Sequence, residues 1–187
     1  MVALRYALIG TMVAVFSPMT APMAADLEEA SGPVILTVTG NIENTNRAAF
    51  DAFDDPFTNY HERPFEKAAT FDRAMLEGLG MKEVEVNYEE WPRPVQLAGP
   101  LLADVLDAVG AEPSAVTVVA LDGFAVEISA EDLAKESWIV AIKQDGAFMD
   151  LGQRGPAWVV FDPSEDKSIT AEEEGVWPWA AFFIEVD

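Results

Sequence analysis

The sequence predicts an α+β domain in which a mixed sheet packs with short helices. Strand-length apolar runs recur along the chain, the helical stripes between them are brief, and two Asp-Gly steps place hairpins between strands.

Taken in order, Pro33 to Gly40 (Pro-Val-Ile-Leu-Thr-Val-Thr-Gly) is a β-branched run closed by glycine and reads as the first strand. The preceding stretch, Asp26 to Gly32, is acidic and small, which predicts a mobile N-terminus. Asn41 to Ala69 holds no sustained period and predicts a long loop with a short helix around Arg47 to Phe53. Thr70 or Asp72 then caps a helix whose apolar face is Met75, Leu76 and Leu79, stopped at Gly80. Val84 to Val86 forms a strand leading into Asn87-Tyr88-Glu89-Glu90-Trp91-Pro92.

Beyond Gly99-Pro100, apolar residues at 101, 102, 105, 106 and 109 make a helical stripe ended by Gly110, and that stripe is core. Ala115 to Leu121 and Phe124 to Ile128 are strands, with Asp122-Gly123 expected as a two-residue hairpin turn between them. Ser129 caps a short helix with Glu131 and Asp132 in its first turn, where carboxylates favour the helix dipole. Trp138 to Lys143 and Ala147 to Leu151 flank the second hairpin signal, Asp145-Gly146. Ala157 to Phe161 and Ala180 to Val186 complete the expected strands.

The first 25 residues predict a signal peptide. Arg5 is the only charge before an apolar run from Tyr6 to Phe16, and small residues follow at Ala21, Ala24 and Ala25. That run is shorter than the roughly 20 residues a bilayer span needs. The expectation is an exported, periplasmic protein cleaved near Ala25, with residues 26–187 forming one domain large enough to bury a core. Loss of Arg5 with the leader leaves 10 basic against 33 acidic residues, a net charge of −23. Such a field repels nucleic acid and anionic lipid, both of which are held mainly by Lys and Arg.

The residue inventory excludes most catalytic templates. There is no cysteine, hence no thiolate nucleophile, disulfide or cysteine-ligated metal, and the single histidine, His61, rules out a two-histidine metal site. As a loop residue His61 is expected to be exposed. No phosphate-binding glycine loop is present, and carboxylate pairs are too common in so acidic a chain to mark acid/base chemistry. Two residues stand out. Trp91, between acids and Pro92, either staples its loop to the core or offers a plate to a planar ring. Arg154, in Gly-Gln-Arg-Gly-Pro, either forms an ordinary surface ion pair or points its guanidinium into a cleft.

In order and spacing, several segments resemble the molybdopterin-binding domain of sulfite-oxidase-type oxidoreductases. They are Gly99-Pro100-Leu101-Leu102 with Asp104-Val105-Leu106, Asp122-Gly123-Phe124, Gly155-Pro156 with Pro163, and Trp179 with Ile184-Glu185-Val186. The likeness covers about Val34 to Val186 and implies the sulfite-oxidase-type fold. In the family's enzymes a cysteine ligates molybdenum, and its place falls here on Asn87, whose neutral amide is no substitute for a thiolate. The cofactor's phosphate would also want cations, for which Arg93, Arg154, Lys143 and Lys167 are scattered candidates.

A bare pterin needs less, and the resemblance implies that Trp91, Asn87, Asp122 and Arg154 bind one, a carboxylate accepting its amino and ring N–H groups. Small exported relatives of this fold work with membrane sensors of the diguanylate cyclase or histidine kinase type. The implied function is therefore a periplasmic receptor that presents a reduced pterin to such a sensor. The alternative is a molybdopterin-dependent oxidoreductase, or its subunit, with a non-cysteine metal environment. The insertion from Arg47 to Ala69 departs from the family's shorter connection.

Overall fold

Two mixed β-sheets and short helices build the described chain, which is α+β as the sequence predicts. The structure, a computed structural model, describes residues 27–112, 114–163 and 168–187. The expected leader, with Arg5, the run from Tyr6 to Phe16 and the cleavage zone at Ala25, lies outside the described residues, as does Lys167. No helix among the described residues is long and apolar enough to cross a membrane.

The larger sheet has seven strands. They are β1 (Leu36–Gly40), β2 (Ala68–Phe71), β5 (Val116–Ala120), β6 (Ala125–Ile128), β7 (Trp138–Ala141), β10 (Ala157–Phe161) and β12 (Trp179–Val186). At its centre β12 lies parallel to β1 and antiparallel to β5 and, through its first residues, to β10. The smaller sheet runs β11-β3-β4-β8-β9. Its strands are β3 (Lys82–Tyr88), β4 (Val95–Gly99), β8 (Lys143–Gln144), β9 (Ala147–Phe148) and β11 (Ser168–Ile169).

The helices are α1 (Pro56–Tyr60), α2 (Arg73–Gly78), α3 (Leu102–Ala108), α4 (Ala130–Lys135) and α5 (Ala171–Glu174). Inner faces of both sheets and of α3 meet in one core. It includes Val84, Val86 and Leu97 from the smaller sheet, Ile139 and Val159 from the larger, and Leu102 and Val105 from α3. Where the two sheets approach, a Cβ on Gly99 would stand 1.9 Å from the Val140 carbonyl oxygen, so only glycine fits.

Local chemistry explains the elements that match expectation. Asp72 Oδ1 accepts from Met75 N at 2.9 Å and caps α2, and Ser129 Oγ accepts from Asp132 N at 3.1 Å and caps α4. Asp145 (φ 51°) and Gly146 (φ 81°) both occupy the left-handed region, as a two-residue hairpin of the primed type demands.

Other elements differ from expectation. The segment 138–143 is not one strand: β7 belongs to the larger sheet, and past Ile142 the chain enters the smaller sheet as β8. The helix expected at Arg47 to Phe53 forms instead at α1, with Pro56 at its start. Strands β2, β4 and β11 and helix α5 were not expected at all. The N-terminal stretch is fastened rather than loose: Ser31 N and Gly32 N donate to Asp72 Oδ2 at 2.9 and 2.7 Å.

The insertion folds onto the larger sheet with its own apolar cluster, in which Phe65 joins Ala68, Val119 and Phe183 while Phe50 packs alongside. Ion pairs Arg47–Asp55 at 2.7 Å and Arg63–Glu185 at 2.8 Å fasten it further. His61 is not the exposed loop residue expected. It is half-buried among Phe57, Tyr60 and Phe182, with ring centroids 4.6, 5.4 and 5.3 Å away.

Candidate functional site

Arg154 and Trp91 come together. The Arg154 guanidinium carbon lies 5.1 Å from the Trp91 ring centroid and 4.6 Å from that of Trp158, so two indoles grip one cation. No carboxylate among the described residues pairs with it. Its backbone is set as firmly, because the Arg154 carbonyl accepts from Ala180 N at 2.8 Å in β12. Trp158 is fully buried on β10 and donates its indole N–H to the Trp177 carbonyl at 3.2 Å.

Trp91 follows β3 in a turn closed by Trp91 N donating to the Tyr88 carbonyl at 2.9 Å. Its ring meets Tyr88 edge-on at 5.8 Å and Trp158 at 5.6 Å, and it packs half-buried against the core. The indole thus does fasten its loop, and it also forms one wall of the Arg154 clamp. Burial pushes the Tyr88 hydroxyl above its usual range, helped by the negative charges of Glu90 and Glu174.

Arg154 opens onto a cleft of about 490 Å³ that also exposes Asp150, Gln144, Gln153 and the ring of Phe148. A cation, a carboxylate and two side-chain amides suit a flat polar heterocycle, since donors and acceptors lie around one cavity of small-ligand size. Asp150, Gln144, Gln153 and Phe148 were missed in the sequence. The available signal was their clustering around the Asp145-Gly146 hairpin and the turn that carries Arg154.

Asn87 and Asp122 stand apart from that cleft. Asn87 pairs in register with Ser168 of β11, and alternation along β3 puts its side chain on the face opposite buried Val86 and Tyr88. Asp122 Oδ1 accepts from Phe124 N at 3.0 Å in its turn, and the residue lines a separate hollow of about 270 Å³ with Glu174, Trp177 and Trp179. The two turns are linked through the backbone of Ala180: Leu121 N donates to the Ala180 carbonyl at 3.0 Å, and Ala180 N donates to the Arg154 carbonyl.

Of the other expected cations, Arg93 and Lys143 are engaged. Arg93 pairs with Asp145 at 2.6 Å, and this hydrogen bond, with that from Gln96 N, holds the Asp145 carboxyl down at about 2. Lys143 pairs with Glu77 at 2.6 Å and sits 4.7 Å above Phe148. Asn87 carries a neutral amide, and Arg93 and Lys143 are committed to carboxylates, so these three positions offer neither the thiolate nor the unpaired cations that a molybdenum cofactor wants. No family model matches the chain, and no curated protein matches it by sequence.

Proposed function

We propose that this chain has the sulfite-oxidase-type fold without its metal chemistry, and that it is a periplasmic pterin-binding protein serving a membrane-bound sensor. The sensor would be of the diguanylate cyclase or histidine kinase type. The observation that carries the reading is Arg154, held between Trp91 and Trp158 and free of any carboxylate partner among the described residues, at the mouth of a polar cleft.

A pterin presents a carbonyl oxygen and a ring nitrogen along one edge, and the fixed guanidinium donates to such an edge. Its amino and neighbouring ring N–H groups need acceptors, which the Gln144 and Gln153 amide oxygens supply. Trp91 acts here mainly through Arg154, and the Gln144 and Gln153 amides take the acceptor role first expected of Asp122. The acidic surface keeps the protein soluble and suits a partner with a basic face.

The test is the ligand carried by protein purified from its own periplasm. A metal-free extract with the fluorescence of an oxidised pterin supports the reading. Stoichiometric molybdenum overturns it in favour of the oxidoreductase.

A further inference from the structure

Asp150 lines the Arg154 cleft. The same residue lines a second and larger groove of about 790 Å³, whose walls are mainly apolar and include Val34, Ile35, Phe57, Leu121 and Phe182. Its charged lining residues are Asp72, Arg73 and Asp150. Asp72 is spent, because its two oxygens already accept from Ser31, Gly32 and Met75. Arg73 stands at the threshold, 3.6 Å from Asp150 and 4.7 Å above Phe148 of the first cleft. Past that pair the groove offers nothing to a charge and a good deal to hydrocarbon.

Resting on the pterin reading above, we infer that the ligand is a pterin with an uncharged apolar substituent on its pyrazine ring, the ring in the Arg154 cleft and the substituent in the groove. The two cavities adjoin at Asp150, which lines both, and at Arg73, which lines the groove and lies over Phe148 of the cleft. In this orientation the amino edge turns to Gln144 and Gln153, and the substituted end passes Asp150 and Arg73. Apolar surface left open in a groove of this size is a usual mark of ligand binding. Burial of each methylene is worth about a fourfold gain in affinity.

Calorimetry with 6-methylpterin and 6-hexylpterin tests this on the whole mature protein. The hexyl compound is expected to bind at least about tenfold more tightly. Val34→Asp should remove most of that advantage and leave 6-methylpterin binding unchanged, since Val34 is 48% exposed and lines only the groove. Phe57→Ser, at a second exposed position, should act likewise, with circular dichroism reporting the fold of both variants. Equal affinity for the two compounds overturns the tail site and leaves the pterin reading standing. A hexyl advantage that survives both substitutions overturns it too, by placing the tail elsewhere. If neither compound binds, the pterin reading fails and this inference falls with it.

Discussion

Replacing Asp72 with alanine removes a carboxylate that serves two segments at once. Oδ1 caps α2 through Met75 N at 2.9 Å, and Oδ2 accepts from Ser31 N at 2.9 Å, Ser31 Oγ at 3.2 Å and Gly32 N at 2.7 Å. The side chain is 2% exposed, so little water is present to replace these bonds. Loss of a cap costs about 1 kcal/mol, and each amide left without an acceptor costs about 1 kcal/mol or more. A destabilisation of about 3 kcal/mol follows, which lowers Tm by about 10 °C in a domain of this size.

The same carboxylate gives a pH signature. Hydrogen bonds from Met75 N and Gly32 N hold its pKa below the ordinary 3.8, so the stabilisation is complete above that value and is lost as pH falls through the lowered one. Urea unfolding at pH 7 and along an acid series measures both effects. Asp72→Asn should flatten part of the acid slope. If Asp72→Ala unfolds at the wild-type midpoint, the clasp between Ser31-Gly32 and α2 contributes nothing, and the wall of the apolar groove is held by other means.

Gly99→Ala should leave little soluble protein, since its methyl would fall 1.9 Å from the Val140 carbonyl oxygen and must force β4 away from β7; expression and circular dichroism report this. In an NMR titration the Asp145 carboxyl should titrate near 2, and Arg93→Ala should move it up toward 3.8 by removing the largest cause of its depression. Trp91→Ala should leave the domain folded but free Arg154 from one side of its clamp, so pterin affinity falls while the far-UV spectrum holds.

What could be read in the sequence was mostly local chemistry. The Asp145-Gly146 turn, the Asp72 and Ser129 caps and the apolar stripe of α3 depend on residues within a few positions of one another, and all form as expected. Elements fixed by distant partners were less visible. Ala-Ala-Thr-Phe is too short to signal a strand by itself, and Thr70 also reads as a helix cap, yet β2 forms because β1 pairs with it along its whole length. The alternation Val95-Gln96-Leu97-Ala98-Gly99 was a usable signal for β4, obscured by Pro92 and Pro94 just before it.

The site follows the same division. Arg154 and Trp91 stand out by rarity and context, and the structure joins them. Trp158, the second half of the clamp, hides inside an ordinary apolar strand, and Asp150 is one acid among 33 acidic residues until the fold sets it between two cavities. The resemblance put Asp122 and Arg154 in one pterin site, but their side chains line different hollows.

The central claim is tested most directly by anaerobic calorimetry of a reduced pterin with wild-type protein and with Arg154→Gln. A charge-assisted hydrogen bond is worth about 1.5–3 kcal/mol, so the account predicts saturable one-to-one binding to the wild type and a loss of roughly 10- to 100-fold in the variant. No heat of binding to the wild type at millimolar pterin, or identical affinity in the variant, would contradict it.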